Sequence, residues 1–193
     1  MKVEVKGNDD FVKKYNAIRT WLADNNCDEE LKKLEMDKSF KVTIIEGEIN
    51  TINVKKSNHG KIIGAKIIVD LDSFTRRDNG FQLSPAVSLM HEVDHAVVAM
   101  TDNNLFDQLK SEIVSYFDNA LEMQAILNTE TNTARALGEI GPEDVSRPKH
   151  VGYPGPSVDG LTPEQQSVLA YRYNMYLKNK LVVHAFPKAD ILR

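Results

Sequence analysis

The chain has 193 residues, 41% of them hydrophobic, which is enough to bury one core and is most economically read as a single domain, 1–193. Its 24 basic and 28 acidic residues give a formal net charge of −4, with no cationic excess to neutralise a phosphate backbone, so nucleic acid is not an expected partner. Cys27 is the only cysteine, which excludes an internal disulfide and any multi-cysteine zinc site, so a metal here must rest on His, Asp and Glu. The first residues, "MKVEVKGNDDFVKKYN", lack the apolar core of a secretory signal. No stretch approaches the roughly 20 apolar residues of a membrane span, and the expectation is a soluble chain without a membrane partner.

In chain order, Phe11, Tyr15, Ile18 and Leu22 recur at spacings of three and four, predicting an amphipathic helix over 9–24 with Trp21 beside its apolar stripe. A short helix over 28–36 completes a helical N-terminal part, 9–36. The period then changes. "FKVTIIEGEINTINVKK" and "GKIIGAKIIVDL" are rich in Ile, Val and Thr and punctuated by Gly47, Gly60 and Gly64, predicting two or three strands in a sheet region, 40–72. "SFTRRDNGFQLSP" reads as a polar loop with an Asn-Gly turn. Ser84 and Pro85 then make a good helix start, with the serine as cap and the proline in the first turn, for a helix running to about Met100. A long helix fits "FDQLKSEIVSYFDNALEMQAIL", with "TETNTARALGEI" continuing it after a break, so that 84–138 is helical. "GPEDVSRPKHVGYPGPSVDG" holds four of the seven prolines and four of the ten glycines and reads as an extended loop. A last helix opens at Thr162 and Pro163 and runs to about Lys178, with "LVVHAF" as a terminal strand. The fold class is α+β: a small mixed sheet packed on one buried helix, with several further helices.

That helix carries the chemistry. "SLMHEVDHAVVAM", 88–100, puts two histidines, a glutamate and an aspartate into an otherwise apolar run. Residues four apart share a helix face, so His91 and His95 present their imidazoles one turn apart, as two adjacent zinc ligands must. Glu92 lies about 100° further round. From there it reaches the water beside the metal without ligating the ion, the place of a general base. The surrounding Ala, Val, Leu and Met letters cover nearly the whole circumference, and buried ionisable groups without partners cost several kcal/mol unless something such as a metal offsets the loss.

A catalytic zinc wants a third protein ligand and an open position. A ligand six residues after the second histidine, beyond a glycine turn, is excluded because Val98 and Thr101 stand at those places. Glu122 in "NALEMQAIL" is the preferred third ligand, with small Ala125 one turn on to let two helices approach. Asp102, Glu112, Asp118 and Glu130 are the other candidates. If Glu122 is the ligand, Asp118 is placed to orient a histidine from behind. Asp94, between Glu92 and His95, faces away from the histidines and is expected to accept a hydrogen bond from a neighbouring loop. His59, Tyr116 and His184 are expected to be structural.

Through "HEVDH" and the later Glu of "EMQA", the sequence resembles the zincin metallopeptidases. Within them it is most similar to the bacterial effector-type, NleD-like zinc metallopeptidases, whose members carry a Thr-Glu-Asn-like segment with an Arg, then an Arg and a Tyr in a loop. "TETNTAR" offers Glu130, Asn132 and Arg135, and "SRPKHVGY" offers Arg147 and Tyr153. The likeness covers about 80–155 and departs from the pattern at Asp94 and at Thr131. It implies a minimal zincin-like fold and a gluzincin-like endopeptidase acting on a protein or peptide substrate. It also implies that the enzyme is secreted or injected, as an effector or as the toxin domain of a larger protein. On this reading Zn2+ is held by His91, His95 and Glu122, and Glu92 and Tyr153 are catalytic. Tyr153, with His150 and Arg147, would stabilise the oxyanion; the plainer role for Tyr153 and Arg147 is to fasten their loop. The alternative is a non-catalytic domain stabilised by zinc. No signal in the letters sets the oligomeric state.

Overall fold

The computed structural model of the chain describes residues 3–76, 81–114 and 117–147. The expected loop and C-terminal helix, from residue 148 onward with His150, Tyr153 and His184, lie outside the described residues. So do Tyr116 and the Asn-Gly turn.

Strand β1 (Val3–Lys6) comes first and was not among the elements read from the sequence, being only four residues long. Helix α1 (Asp9–Asp24) follows, its start fixed by the side chain of Asn8 accepting from the Phe11 N–H at 2.8 Å and by Asp9 and Asp10 at the positive end of the helix. Phe11, Tyr15, Ile18, Trp21 and Leu22 are all buried, as their spacing requires. The chain leaves α1 through Asn26 in the left-handed region, φ 54°, and enters helix α2 (Glu29–Met36). Arg19 ties these helices together, holding Asp28 at 2.6 Å and both oxygens of Glu35 at 2.8 and 2.9 Å.

Strands β2 (Lys41–Glu46), β3 (Thr51–Lys56) and β4 (Ile62–Val69) complete a mixed sheet in the order β1-β2-β4-β3. β1 and β4 run parallel to β2, whereas β3 returns antiparallel to β4 through a turn that needs Gly60 at φ 79°. The segment "GAKIIVDL" is therefore an interior strand flanked on both sides; among the described residues the edges are β1 and β3. Val42, Ile44, Ile67 and Val69 face the core, while Lys66 on β4 is exposed. Beyond the sheet, the polar stretch expected to be loop carries a two-residue antiparallel ladder of β5 (Thr75–Arg76) with β6 (Gln82–Leu83).

Helix α3 (Pro85–Thr101) packs against β4, β3 and α2, and every residue from Pro85 to Ala99 is buried. Ser84 does not cap it with its hydroxyl. The carboxylate of Glu139 does so instead, accepting the Ser84 backbone N–H at 2.8 Å, which satisfies a donor that the first turn leaves open. Helix α4 (Asn103–Ser111) starts on Asp102, whose side chain accepts from the N–H groups of Asn104 and Leu105.

The single long helix expected after Phe106 is broken. α4 stops at Ser111, Asp118 sits at φ 65°, and helix α5 (Ala120–Ala125) starts afresh on the Asn119 side chain, which accepts from Glu122 N–H at 3.0 Å. Short polar side chains compete with the helical backbone and favour such caps and turns, which the apolar period alone does not reveal. From α5 the chain passes through a π-helical turn (Ile126–Glu130) directly into helix α6 (Thr131–Ala136), with no break where one was expected, and ends at Gly138, φ 72°. The described residues thus form an α+β fold, and none of their helices is long and apolar enough to cross a membrane.

Burial pushes the Glu139 carboxyl up to about 7, against the hydrogen bonds from Ser84 that pull it down. An acid with a raised folded-state pKa holds its proton more tightly in the folded chain, so its contribution to stability falls as pH rises from the usual carboxyl range through about 7. Glu139→Gln keeps an oxygen for the Ser84 N–H and removes the titration. In urea unfolding the wild type is expected to lose stability from about pH 5 to about pH 8, and the variant to lose about 1–3 kcal/mol less. Equal slopes for the two proteins would refute this role for Glu139.

Candidate metal centre

The centre of α3 carries His91 and His95 one turn apart, with ring centroids 4.6 Å apart and planes at 81°. Their Nε2 atoms lie 3.1 Å from each other. α5 brings in Glu122, whose carboxylate stands 2.9 Å from His91 Nε2 and 3.2 Å from His95 Nε2. The Asn119 cap sets where α5 begins and hence which way Glu122 faces. Three side chains from two helices therefore converge on one point, and they form the group of potential metal ligands found among the described residues.

The spacing suits zinc. Tetrahedral bonds of about 2.0–2.1 Å place neighbouring ligand atoms roughly 3.3 Å apart, and the three separations here are 2.9, 3.1 and 3.2 Å. The donor set, two imidazoles and a carboxylate, is also the one zinc accepts at catalytic sites, and three protein ligands leave a position open.

Glu92, 6% exposed, follows His91 on the same helix. Burial raises its carboxyl above the ordinary range, while His91 and His95 pull it down and Glu122 pushes it up again. His91 sits between two acids. Burial alone would lower its imidazole, but the hydrogen bonds to Glu122 and Glu130 outweigh that and push it up to about 9. A ring in this state holds a proton on the side where a cation would sit, so metal binding would release it.

Glu130, weighed above as a ligand, is fully buried and lies on the other side of the ring, 2.8 Å from His91 Nδ1. The π-helical turn explains how it gets there. At about 100° per residue, Glu130 would stand about 80° round from Glu122, which precedes it by two helical turns. The wider i→i+5 turns advance each residue by roughly 80° instead, and over Ile126–Glu130 that lag returns Glu130 to the azimuth of Glu122. The two carboxylates then bracket one imidazole. Asp118, expected to orient a histidine, is exposed at the break before α5, and Glu130 occupies the place given to it.

Asp94 is buried and accepts the Thr129 hydroxyl at 2.5 Å, so its partner comes from the π-helical turn and not from a loop. Arg147 is also buried, its guanidinium holding both Glu130 oxygens at 3.0 and 2.6 Å. Arg135 donates to the Asp144 carbonyl at 2.9 Å, and Asn132 is exposed. Asp102 and Glu112 are exposed away from the histidines, and His59 is exposed near the β3–β4 turn. The Glu130–His91 pair was missed from the sequence because a regular helical wheel sets Glu130 about 80° round from Glu122, and the Asp94–Thr129 pair because Asp94 was expected to meet a loop. The visible clue was the hydroxyl-rich "NTETNT" that follows Glu122.

Comparison of the chain with protein-family models, with curated proteins and with solved structures finds no match.

Proposed function

We propose that the protein is a zinc-dependent endopeptidase with a minimal zincin-like fold, in which His91, His95 and Glu122 hold Zn2+ and Glu92 is the general base. The observation that carries this reading is the convergence of the two Nε2 atoms and the Glu122 carboxylate within 2.9–3.2 Å, with a buried glutamate beside them. When bound, zinc supplies a Lewis acid that polarises a carbonyl and acidifies water.

The chain's own residues do the rest. Glu92 takes a proton from the attacking water as its oxygen bonds to the scissile carbonyl carbon. The carbon–nitrogen bond then breaks, and Glu92 returns that proton to the departing amine. Burial raises its carboxyl, which makes it a better proton acceptor than a solvated glutamate. Glu122 and the two histidines keep their ligand atoms converged without a further rotamer search, which is where the rigidity of a wholly buried helix helps catalysis.

A peptide substrate is favoured by β3, an edge strand among the described residues that α3 also touches, because a strand edge is a template for an extended chain. The likeness to effector-type metallopeptidases adds a protein target and secretion or injection to the proposal. Tyr153 keeps its proposed oxyanion role, outside the described residues.

The test is elemental analysis coupled to cleavage of casein. Purified protein is expected to carry about one zinc per chain, and His95→Ala to lose it. Glu92→Gln is expected to retain the zinc and to lower hydrolysis by about 10²–10⁴-fold. Wild type that holds zinc but cleaves no protein offered would favour a zinc-stabilised binding domain. Wild type without zinc would sink both readings.

A further inference from the structure

We propose that Glu130 and Arg147 are positioning residues for the metal ligand His91, clamped in place by the bond between Asp94 and Thr129; this rests on the zinc reading above.

The buried pair needs an explanation other than stability. Glu130 is 0% and Arg147 6% exposed, and taking both charges out of water costs several kcal/mol each, which their attraction seldom exceeds by much. Two apolar side chains would fill the space at least as well. What the pair supplies is direction. The planar guanidinium grips the carboxylate through two parallel contacts, Nε to Oε1 at 3.0 Å and Nη2 to Oε2 at 2.6 Å, and so fixes the plane of the Glu130 carboxylate. The same Oε2 lies 2.8 Å from His91 Nδ1. As an acceptor, it holds a ring hydrogen on Nδ1 and so leaves Nε2, which faces Glu122 and His95, as the atom available to a metal. Arg147 Nη2 is also 3.4 Å from His91 Nδ1, a consequence of the two donors sharing one oxygen.

The other histidine makes the contrast. Among the described residues, His95 Nδ1 is buried without a hydrogen-bond partner, whereas His91 is oriented from behind. The structure therefore concentrates ligand orientation at one residue.

The clamp accounts for Asp94. Thr129 and Glu130 are neighbours, and they engage Asp94 and His91, three residues apart on one side of α3. The first contact seats the π-helical turn; the second delivers the carboxylate. Arg147 arrives beside Ser146, whose N–H donates to Thr131 Oγ1 at 3.1 Å while the Thr131 hydroxyl donates to the Ile126 carbonyl at 2.7 Å. The segment carrying the arginine is thus docked on the same turn that carries Glu130.

The experiment measures zinc affinity by chelator competition, and the visible spectrum of the Co2+-substituted protein, for full-length wild type, Glu130→Gln, Arg147→Met, Arg147→Lys and the double variant Glu130→Gln/Arg147→Met. The expected result is a 10–100-fold weaker zinc affinity in Glu130→Gln and Arg147→Met, roughly the loss that removal of a ligand's outer partner brings. Arg147→Lys, which keeps the charge and loses the fork, is expected to fall between Arg147→Met and wild type. The double variant should bind no more weakly than Glu130→Gln alone, because Arg147 acts through Glu130. The cobalt bands should shift in both single variants, a change that a purely structural role would not produce. If Arg147→Met fails to fold, Arg147→Lys and Glu130→Gln carry the same comparison. Wild-type affinity and an unchanged cobalt spectrum in Glu130→Gln and Arg147→Lys would overturn the positioning role and leave the metal site standing. Absence of zinc binding by the wild type would overturn the metal reading and this proposal with it.

Discussion

Everything around the candidate site follows from the burial of α3. A helix covered on all sides from Pro85 to Ala99 gains about 1.5–3 kcal/mol from each of Val87, Leu89, Met90 and Val93. It also leaves His91, Glu92, Asp94 and His95 only 2–6% exposed. Each such group without a partner costs about 1–3 kcal/mol, more if charged, so the apolar gain from one residue is cancelled by one orphaned polar neighbour. The rest of the chain is arranged accordingly. α5 supplies Glu122, the π-helical turn supplies Thr129 and Glu130, and Arg147 neutralises Glu130.

This constraint divides the molecule into two halves with different tasks. β1 to β4, with α1 and α2, form a scaffold whose alternating and helical periods are satisfied by apolar packing, with Arg19 tying the two helices together. The part after α3 is built from short helical pieces, and their irregularities are where the chemistry is set. Asn119 restarts the helix so that Glu122 faces α3, and the π-helical turn then re-aims Glu130 by about a quarter turn. A single regular helix over the same letters would have delivered one acid to the histidines and lost the other.

The same division explains what was legible in the sequence. Periodicity placed α1 and α2, the sheet region and α3 to within a residue or two, because burial of an apolar stripe decides those elements. That His91, His95 and Glu122 come together was legible for a similar reason: i, i+4 spacing is a property of any α-helix, and Glu122 stands in the first turn of α5. Three features were not legible. β1 is too short to show a period, and its place in the sheet depends on a partner, β2, beyond two helices. The break at Asp118 and Asn119 depends on side-chain competition with the backbone. The π-helical turn depends on hydroxyls and acids meeting α3 in three dimensions, and so the roles of Asp94 and Glu130 were hidden with it. Ser84 looked like the cap of α3, but the competing acceptor, Glu139, lies 55 residues away in sequence.

One consequence joins stability to the site. Among the described residues α3 retains buried polar atoms without hydrogen-bond partners, Asp94 Oδ2 and His95 Nδ1, and the raised acid Glu139 is packed against its N-terminus. Together these make the helix that carries the ligands less favourable than its apolar content suggests. A metal that binds the folded site and not the unfolded chain opposes that deficit by mass action, adding about 2.7 kcal/mol at one hundred times its dissociation constant. His91, His95 and Glu122 would then serve the fold and the chemistry through the same three contacts. The asymmetry between the histidines sharpens the point: among the described residues His91 is engaged on both ring nitrogens, whereas His95 makes contacts only through Nε2, to His91 and Glu122.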